Sequence, residues 1–343
     1  MELTPRKQAI LKAIVKAYIE TGEPVGSKNL TALLENAPSP ATIRNEMSDL
    51  CELGFLTQPH TSAGRVPTHS GYRLYVDSLS PRHTPTAEDA EYIRSFLEKL
   101  SCEPEAVPTY AAQLLQKLTG LATIACIVND SPVKIKSVEL IKIGKSSFMI
   151  LLVTRDGRTR NRVFRQSEPL SFEARAVFDE LVEKKIQGSR ACDLTLAYMQ
   201  SLLAKTGIYA FELMPLLSAV FELANGLENS EIVLKGEKAL YNVFGDGAAA
   251  RKIMSLIKVR DPILKILGGI DKKAGVVFGT DMGYKEVQNG TVVAASFGDE
   301  KLKGYLGVIG PDRIAYEQII PFVEYTAEIC TKIMTQAQHD MED

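Results

Sequence analysis

Apolar and polar residues alternate at helical spacing through the first part of the chain. Thr4-Pro5 is a typical helix start, because threonine caps the first turn and proline fits its opening position. The apolar positions that follow at this spacing are Ile10, Leu11, Ile14, Val15 and Tyr18. Ser27 is predicted to cap a short second helix that runs to Leu34, and Ser39-Pro40 to open a third that ends at Leu53.

The helical spacing stops after Gly54. Phe55-Leu56-Thr57 is predicted to be a short strand, and the residues from Pro59 to Pro67 a turn-rich loop. Helical spacing returns from Thr68, where the apolar positions are Tyr72, Tyr75, Val76 and Leu79. Three helices, a strand, a loop and a return helix within 79 residues predict a winged helix-turn-helix.

The remainder of the chain mixes helix and strand signals. Strands are predicted at 121–128, 133–143, 147–153, 162–164, 274–278, 291–297 and 306–309, and strand plus turn at 231–243. Helices are predicted at 88–118 with a break near 104–108, and at 172–186, 193–205, 212–225, 248–259, 262–267 and 317–334.

This order predicts a multidomain α+β protein. The winged helix takes residues 1–79, and the Pro-, Ser- and Thr-rich segment 80–87 is a linker. An α/β domain takes 88–167 and 246–343, and a mainly helical domain at 168–245 is inserted into it.

Composition and charge narrow the function only slightly. The 343 residues are 45% hydrophobic and carry a net charge of −2, so the chain is not a uniformly basic nucleic-acid protein. The N-terminus lacks the apolar core of a signal peptide, and the apolar run from Phe211 to Leu227 is interrupted by Glu212, Pro215 and Glu222. A cytoplasmic protein with no membrane segment is expected.

No pattern typical of an enzyme or a metal site stands out. The five cysteines are scattered without a C-x-x-C pair, which favours idle or buried thiols. The four histidines do not cluster with other ligand-type residues. We therefore expect no catalytic residues, no metal and no cofactor.

The third helix is the candidate reader of DNA. Its face formed by Ile43, Met47 and Leu50 is apolar, which leaves on the outside Thr42, Arg44, Asn45, Ser48 and Asp49. Asparagine can pair bidentately with adenine and arginine with guanine in the major groove. Ser39 and Thr42 lie at the helix N-terminus, where amide groups attract phosphate.

The loop after the third helix has the composition of a wing. Between Gln58 and Thr68 it contains no acidic residue, and its candidate DNA contacts are His60, Thr61, Ser62 and Arg65. Lys28, Arg73 and Arg6 are further candidate phosphate contacts. Spacing alone leaves two alternatives open: a winged helix that binds a protein, and a ligand-binding α/β regulatory protein whose winged helix mediates protein contacts.

Three stretches of the winged helix resemble the heat-inducible transcription repressor family, HrcA. They are Tyr18 to Lys28 (YIETGEPVGSK), Ala41 to Met47 (ATIRNEM) and Gln58 to Asp77, which includes QPHTSAGRVPT and GYRLYVD. Near the other end, Gly307 to Tyr316 (GVIGPDRIAY) is similar to a C-terminal motif of that family.

The resemblance implies a fold and a function. The fold would be a winged helix followed by a GAF-like domain that carries an inserted dimerisation domain. The function would be repression of chaperone operons by a homodimer bound to an inverted-repeat operator called CIRCE. A GroEL-type chaperonin would be a partner that restores the active state. The apolar stripe from Phe211 to Leu223 is expected to be core, with part of it available for the dimer interface.

Overall fold

The computed structural model describes most of the chain. The described residues are 3–34, 37–60, 63–79, 84–100, 106–128, 133–144, 146–155, 157–166, 170–228, 232–244, 247–270, 274–299 and 303–342. Two predicted wing residues, Thr61 and Ser62, and half of the predicted linker, 80–83, lie outside them.

The first 79 residues form a small helical domain, which we call the head. It contains α1 (Pro5–Thr21), α2 (Ser27–Leu33), α3 (Pro40–Glu52), β1 (Leu56–Thr57), β2 (Val66–Pro67) and α4 (His69–Leu74), which continues in a wider turn over Tyr75–Leu79. The predicted caps are confirmed at α1 and α3, where the side chains of Thr4 and Ser39 accept from backbone amides. At α2 the cap is Gly26, with no side-chain bond, and Ser27 is already helical.

A five-stranded sheet forms the centre of the larger part of the chain, which we call the body. Its strands are β3 (Ala122–Val128), β7 (Ile232–Lys235), β8 (Gly275–Phe278), β9 (Gly290–Gly298) and β10 (Lys303–Pro311). Their order is β7-β3-β10-β9-β8, and every neighbouring pair is antiparallel.

Helices cover both faces of this sheet. The helices of the body are α5 (Ala87–Leu97), α6 (Val107–Thr119), α10 (Glu237–Phe244), α11 (Gly247–Lys258), α12 (Arg260–Gly268) and α13 (Tyr316–Glu342). Alternate strand residues point to opposite faces, so Val293 packs with α6 and α13 while Val292 packs with α10 to α12. Residues 231–243 were predicted to be strand and turn, but the second half is the helix α10.

A second core is formed by the segment that lies between β3 and β7 along the chain. It is built by β4 (Ile135–Lys142), β5 (Ser147–Thr154) and β6 (Thr159–Arg165), an antiparallel sheet of order β4-β5-β6. This sheet packs on α7 (Phe172–Leu181), α8 (Leu196–Leu203) and α9 (Ala210–Glu228). We call residues 133–228 the insert.

The insert differs from the boundaries expected from the sequence, which assigned the three strands to the α/β domain and began the inserted domain at 168. The buried side chains of β5 alternate strictly with half-buried ones, so only one face of this sheet is packed. Alternation predicts a half-buried strand but does not say which helices cover it. The structure covers it with α7 to α9.

One helical stretch of the insert has an apolar composition. By length and composition alone, Gly207–Leu227 could cross a membrane, and 39% of its most apolar window is buried within the structure. Its buried side chains, including Leu213, Leu216 and Val220, belong to the second core, as expected for the stripe. Phe211 and Met214 are exposed on the same helix.

Candidate nucleic-acid interface

The polar face of α3 is open to solvent. Ile43, Met47 and Leu50 are buried against the rest of the head, as the sequence predicted, and this packing turns Arg44 and Asn45 outward. Both outward side chains are classed as exposed, so neither the body nor the insert covers them. A helix of this length fits the major groove with these two side chains toward base edges.

Hydroxyl groups stabilise the ends of the same face. Ser39 accepts from the amide of Thr42 at 3.2 Å, and the two hydroxyl oxygens lie 3.0 Å apart. The hydroxyl of Ser48 donates to the carbonyl of Arg44 at 3.1 Å. All three hydroxyl oxygens retain acceptor capacity, and Ser39 and Thr42 lie at the positively polarised start of the helix.

Two cations of α1 balance the acids of α3, and the sequence reading did not identify this pairing. Lys7 Nζ lies 2.9 Å from Asp49 and 3.7 Å from Glu46, and Arg6 lies 3.6 Å from Glu46. A hydrogen bond to Asp49 is the main cause that raises the pKa of Lys7. The pairs reduce the negative charge that would otherwise repel phosphate from this face.

The wing is fixed to the start of α2. Its two strands pair Leu56 with Pro67 and Thr57 with Val66. Val25 and Arg65 exchange two backbone hydrogen bonds, each of 2.9 Å. His60 is exposed near the tip, whereas Arg65 is half-buried and its Nε has no hydrogen-bond partner among the described residues.

Gly64 makes this attachment possible. A Cβ built at this position would overlap the backbone carbonyl of Val25. We therefore expect Gly64→Ala to push the wing away from α2 and to weaken DNA binding by about tenfold, since misplaced contacts lose most of their energy. Gly26→Ala is the matched control, because the space around that position is empty. A titration of operator DNA against both variants measures the effect; equal affinity would contradict the role of the wing.

The structure places the two other predicted phosphate contacts, Lys28 and Arg73, in different parts of the molecule. Lys28 is exposed on α2. Arg73 was predicted to contact phosphate, but it instead lies at the contact between head and body. There it forms an ion pair with Asp281 and lies over the ring of Phe278, with its guanidinium carbon 5.5 Å from the ring centre.

The contact between head and body, which we call the seam, is polar at its edge. His69 Nδ1 lies 3.0 Å from Asp312, Tyr75 donates to Glu317 at 2.7 Å, and Lys16 lies 3.6 Å from Glu317. At its centre Tyr72 packs against Tyr316, with ring centres 6.2 Å apart. These contacts hold α1, α4 and the turn after α4 against the body.

Burial at the seam shifts the pKa values of Asp312 and His69 in opposite directions. It raises the pKa of Asp312 to about 7 and lowers the pKa of His69. Both shifts favour the neutral forms of these two side chains, because burial penalises the charged forms.

The Asp312 shift makes the stability of the protein pH-dependent. A raised acid pKa means that the folded state holds the proton more tightly, so this stabilisation is lost as pH rises from 3.8 to about 7. Asparagine does not ionise, so we expect the free energy of unfolding of Asp312→Asn to rise relative to the wild type by roughly 1–3 kcal/mol between these two pH values. Above the upper value the difference should stay constant. Thermal unfolding at several pH values tests this; a difference that does not vary with pH would contradict it.

No group of three or more histidine, cysteine, aspartate or glutamate side chains arranged to hold a metal occurs among the residues that the structure describes.

Comparisons with known proteins place the chain next to transcription repressors. Residues 2–78 match the family described as winged helix-turn-helix transcription repressor, HrcA DNA-binding, and residues 105–320 match the HrcA protein C terminal domain. The chain is 31% identical to the heat-inducible transcription repressor HrcA of Alkaliphilus metalliredigens over 93% of this chain and 94% of that one. It is also 31% identical to the repressor of the same name from Clostridium perfringens strain 13, over 98% of each.

One solved structure shares the fold. A crystal structure described as that of a hypothetical protein superposes with a TM-score of 0.73 at 23% sequence identity, covering 98% of this chain and all of the other.

Proposed function

Because the chain belongs to the HrcA family of heat-inducible transcription repressors, we propose that it binds an inverted-repeat operator of the CIRCE type as a homodimer and so represses chaperone operons. The winged helix is the DNA-binding domain of this repressor. The observation that carries the proposal is the open polar face of α3, where Arg44 and Asn45 are exposed while Ile43 and Met47 pack inside.

Each contact has a proposed role. Arg44 and Asn45 read base edges, with Ser48 beside them. Ser39, Thr42 and Lys28 bind phosphate, and the wing residues His60, Thr61, Ser62 and Arg65 follow the backbone or minor groove. Arg73 is left out of this set, because its pairing with Asp281 gives it a role at the seam.

Exposed apolar side chains on the insert support the homodimer. Ile208, Phe211 and Phe172 are 87%, 75% and 83% exposed. The backbone amide and hydroxyl of Ser171 both donate to Glu212 at 2.8 Å, which brings the starts of α7 and α9 together. A surface of large apolar side chains suits a protein contact, and the same patch on a second copy makes a closed two-fold interface. We call these three residues the apolar patch.

The proposed domain functions follow from this arrangement. The body, residues 88–132 and 232–343, is the GAF-like domain, and the insert is the dimerisation domain. Two-fold symmetry matches the inverted repeat, with half-sites separated by whole helical turns of about 34–36 Å. Repression is then steric, since the bound dimer denies the promoter to polymerase in the cytoplasm.

Heat would release the repressor when warming depletes the DNA-competent state. A domain that is stable by only about 5–15 kcal/mol loses that state within a modest temperature rise. A GroEL-type chaperonin would restore the population, a partnership that family membership suggests.

Binding to operator DNA tests the proposal. We expect tight binding to an inverted repeat and about 10³-fold weaker binding to a scrambled duplex at physiological salt. Affinity should fall steeply with added salt, since each neutralised phosphate releases counterions. Equal affinity for both duplexes would overturn sequence-specific repression.

A further inference from the structure

A cavity of about 430 Å³ opens in the body beside the seam. It lies between the end of α6, the start of α13 and the connection from β10 to α13. This volume falls in the range of small-molecule sites. Neither the DNA-binding face of α3 nor the apolar patch contributes to it.

The cavity is lined by both apolar and polar side chains. Leu121, Ile319 and Phe322 form an apolar wall. The polar side chains are those of Arg313, Gln318, Asn242 and Thr119, and the described lining contains no aspartate or glutamate. One arginine and several apolar side chains in the same lining fit a molecule with one carboxylate and an apolar body, because arginine binds carboxylate bidentately.

Arg313 also contacts the head. Gly22, which ends α1 in a left-handed conformation with φ 74°, has the guanidinium of Arg313 where its side chain would be. The C-terminus of a helix carries partial negative charge, so a cation at this position stabilises the docked head. One side chain therefore serves both the cavity and the end of α1.

Asp312, the residue before Arg313, also links the cavity to the seam. Asp312, which faces His69 across the seam, directly precedes Arg313, and the following residues Ile314 and Ala315 line the cavity. Tyr72 Oη and Asp312 Oδ1 are buried at the seam without a hydrogen-bond partner among the described residues. Buried polar groups without partners weaken a contact. A small shift of the segment that joins β10 to α13 would therefore suffice to loosen the head.

We propose that the cavity binds a small amphipathic carboxylate through Arg313, and that binding draws Arg313 away from α1 and loosens the head from the body. The bound molecule places its carboxylate on Arg313 and its apolar part against Leu121, Ile319 and Phe322. A looser head holds the two reading helices less firmly in register, so affinity for the inverted repeat falls. This last consequence rests on the proposed DNA-binding function, whereas carboxylate binding does not.

Calorimetry on the full-length protein without DNA tests the site. The probe is 4-phenylbutyrate, with 4-phenylbutanamide as the neutral analogue of the same shape. We expect the carboxylate to bind with one site per chain and the amide at least about tenfold more weakly. Arg313→Gln should weaken carboxylate binding about tenfold, while Lys205→Gln, an exposed cation on the insert, should leave it unchanged.

Several outcomes would overturn the site. Equal binding of carboxylate and amide would show that the charge is not recognised, and equal binding to wild type and Arg313→Gln would place the ligand elsewhere. No binding at millimolar concentration would reject this ligand class for the cavity. An unchanged far-ultraviolet circular dichroism spectrum of Arg313→Gln establishes that the body remains folded and that its loss of binding is local.

A second measurement separates the two proposals. Operator affinity is measured with and without saturating 4-phenylbutyrate, and a reduction of about fivefold or more is expected in the wild type but not in Arg313→Gln. Ligand binding without a change in operator affinity would reject the coupling and keep the site. Failure of the free protein to bind operator would instead reject the proposed function.

Discussion

Replacement of both Arg44 and Asn45 by alanine is expected to remove most of the sequence-specific affinity for the operator. Each bidentate base contact contributes about 1–3 kcal/mol of discrimination, so the pair accounts for about 2–6 kcal/mol. The loss should be roughly 30-fold to 10⁴-fold for operator DNA and much smaller for a scrambled duplex. A titration of both duplexes at one fixed salt concentration measures it.

The fold of the head should survive this double substitution. Both side chains are exposed, and alanine is a better helix former than either residue. The control is Lys28→Ala, which removes an exposed cation on α2 and should weaken binding to both duplexes alike, with a smaller salt slope. If the double variant binds operator as the wild type does, α3 is not the reading helix.

Conversion of the apolar patch to a charged surface should separate the dimer and reduce operator affinity by about 10²–10⁴-fold. The variant combines Ile208→Asp with Phe211→Asp. It places carboxylates at two positions whose native side chains are 87% and 75% exposed. The physical reason is that two linked heads bind the second half-site at high effective concentration, and a monomer loses that advantage. Sedimentation measures the mass, and DNA titration measures the affinity.

Two comparisons isolate the dimer effect. Binding to a single half-site should be unchanged, because one head contacts it in either state. Val259→Asp is the matched control, since that side chain is 59% exposed in the body, outside the insert. A double variant that remains dimeric would place the interface elsewhere, and so would a control that dissociates.

Local signals within the head were sufficient to predict its elements. The caps of α1 and α3, the apolar face at Ile43, Met47 and Leu50, and the strand before the wing all agree with the structure. Each depends on residues within one or two turns of each other. The exposure of Arg44 and Asn45 follows from the same periodicity.

Contacts between distant segments were not predictable in this way. Lys7 and Asp49 meet because α1 packs on α3, and no local pattern marks the pair. Arg73 is of a residue type that binds phosphate, but it pairs with Asp281, which lies 208 residues further along the chain. Arg6 was predicted to contact phosphate, and its pairing with Glu46 required knowledge of the neighbouring helix.

The insert shows the same difference at the level of domains. The alternation in β5 predicted a half-buried strand, and the helical spacing predicted α7 to α9. That these elements share one core, separate from the five-stranded sheet, is a property of the tertiary fold. The boundary at 168 lies outside the described residues and stays a prediction, while β4 to β6 share the core of α7 to α9.

The sequence by itself determined the elements of the head and the direction of its polar face, because capping and periodicity act between residues that are close along the chain. Only the tertiary structure decided that Arg73 joins head to body, that β4 to β6 belong with α7 to α9, and that Arg313 connects a cavity to the end of α1. These outcomes depend on which surfaces bury each other, and that choice is made by the packing of the whole chain.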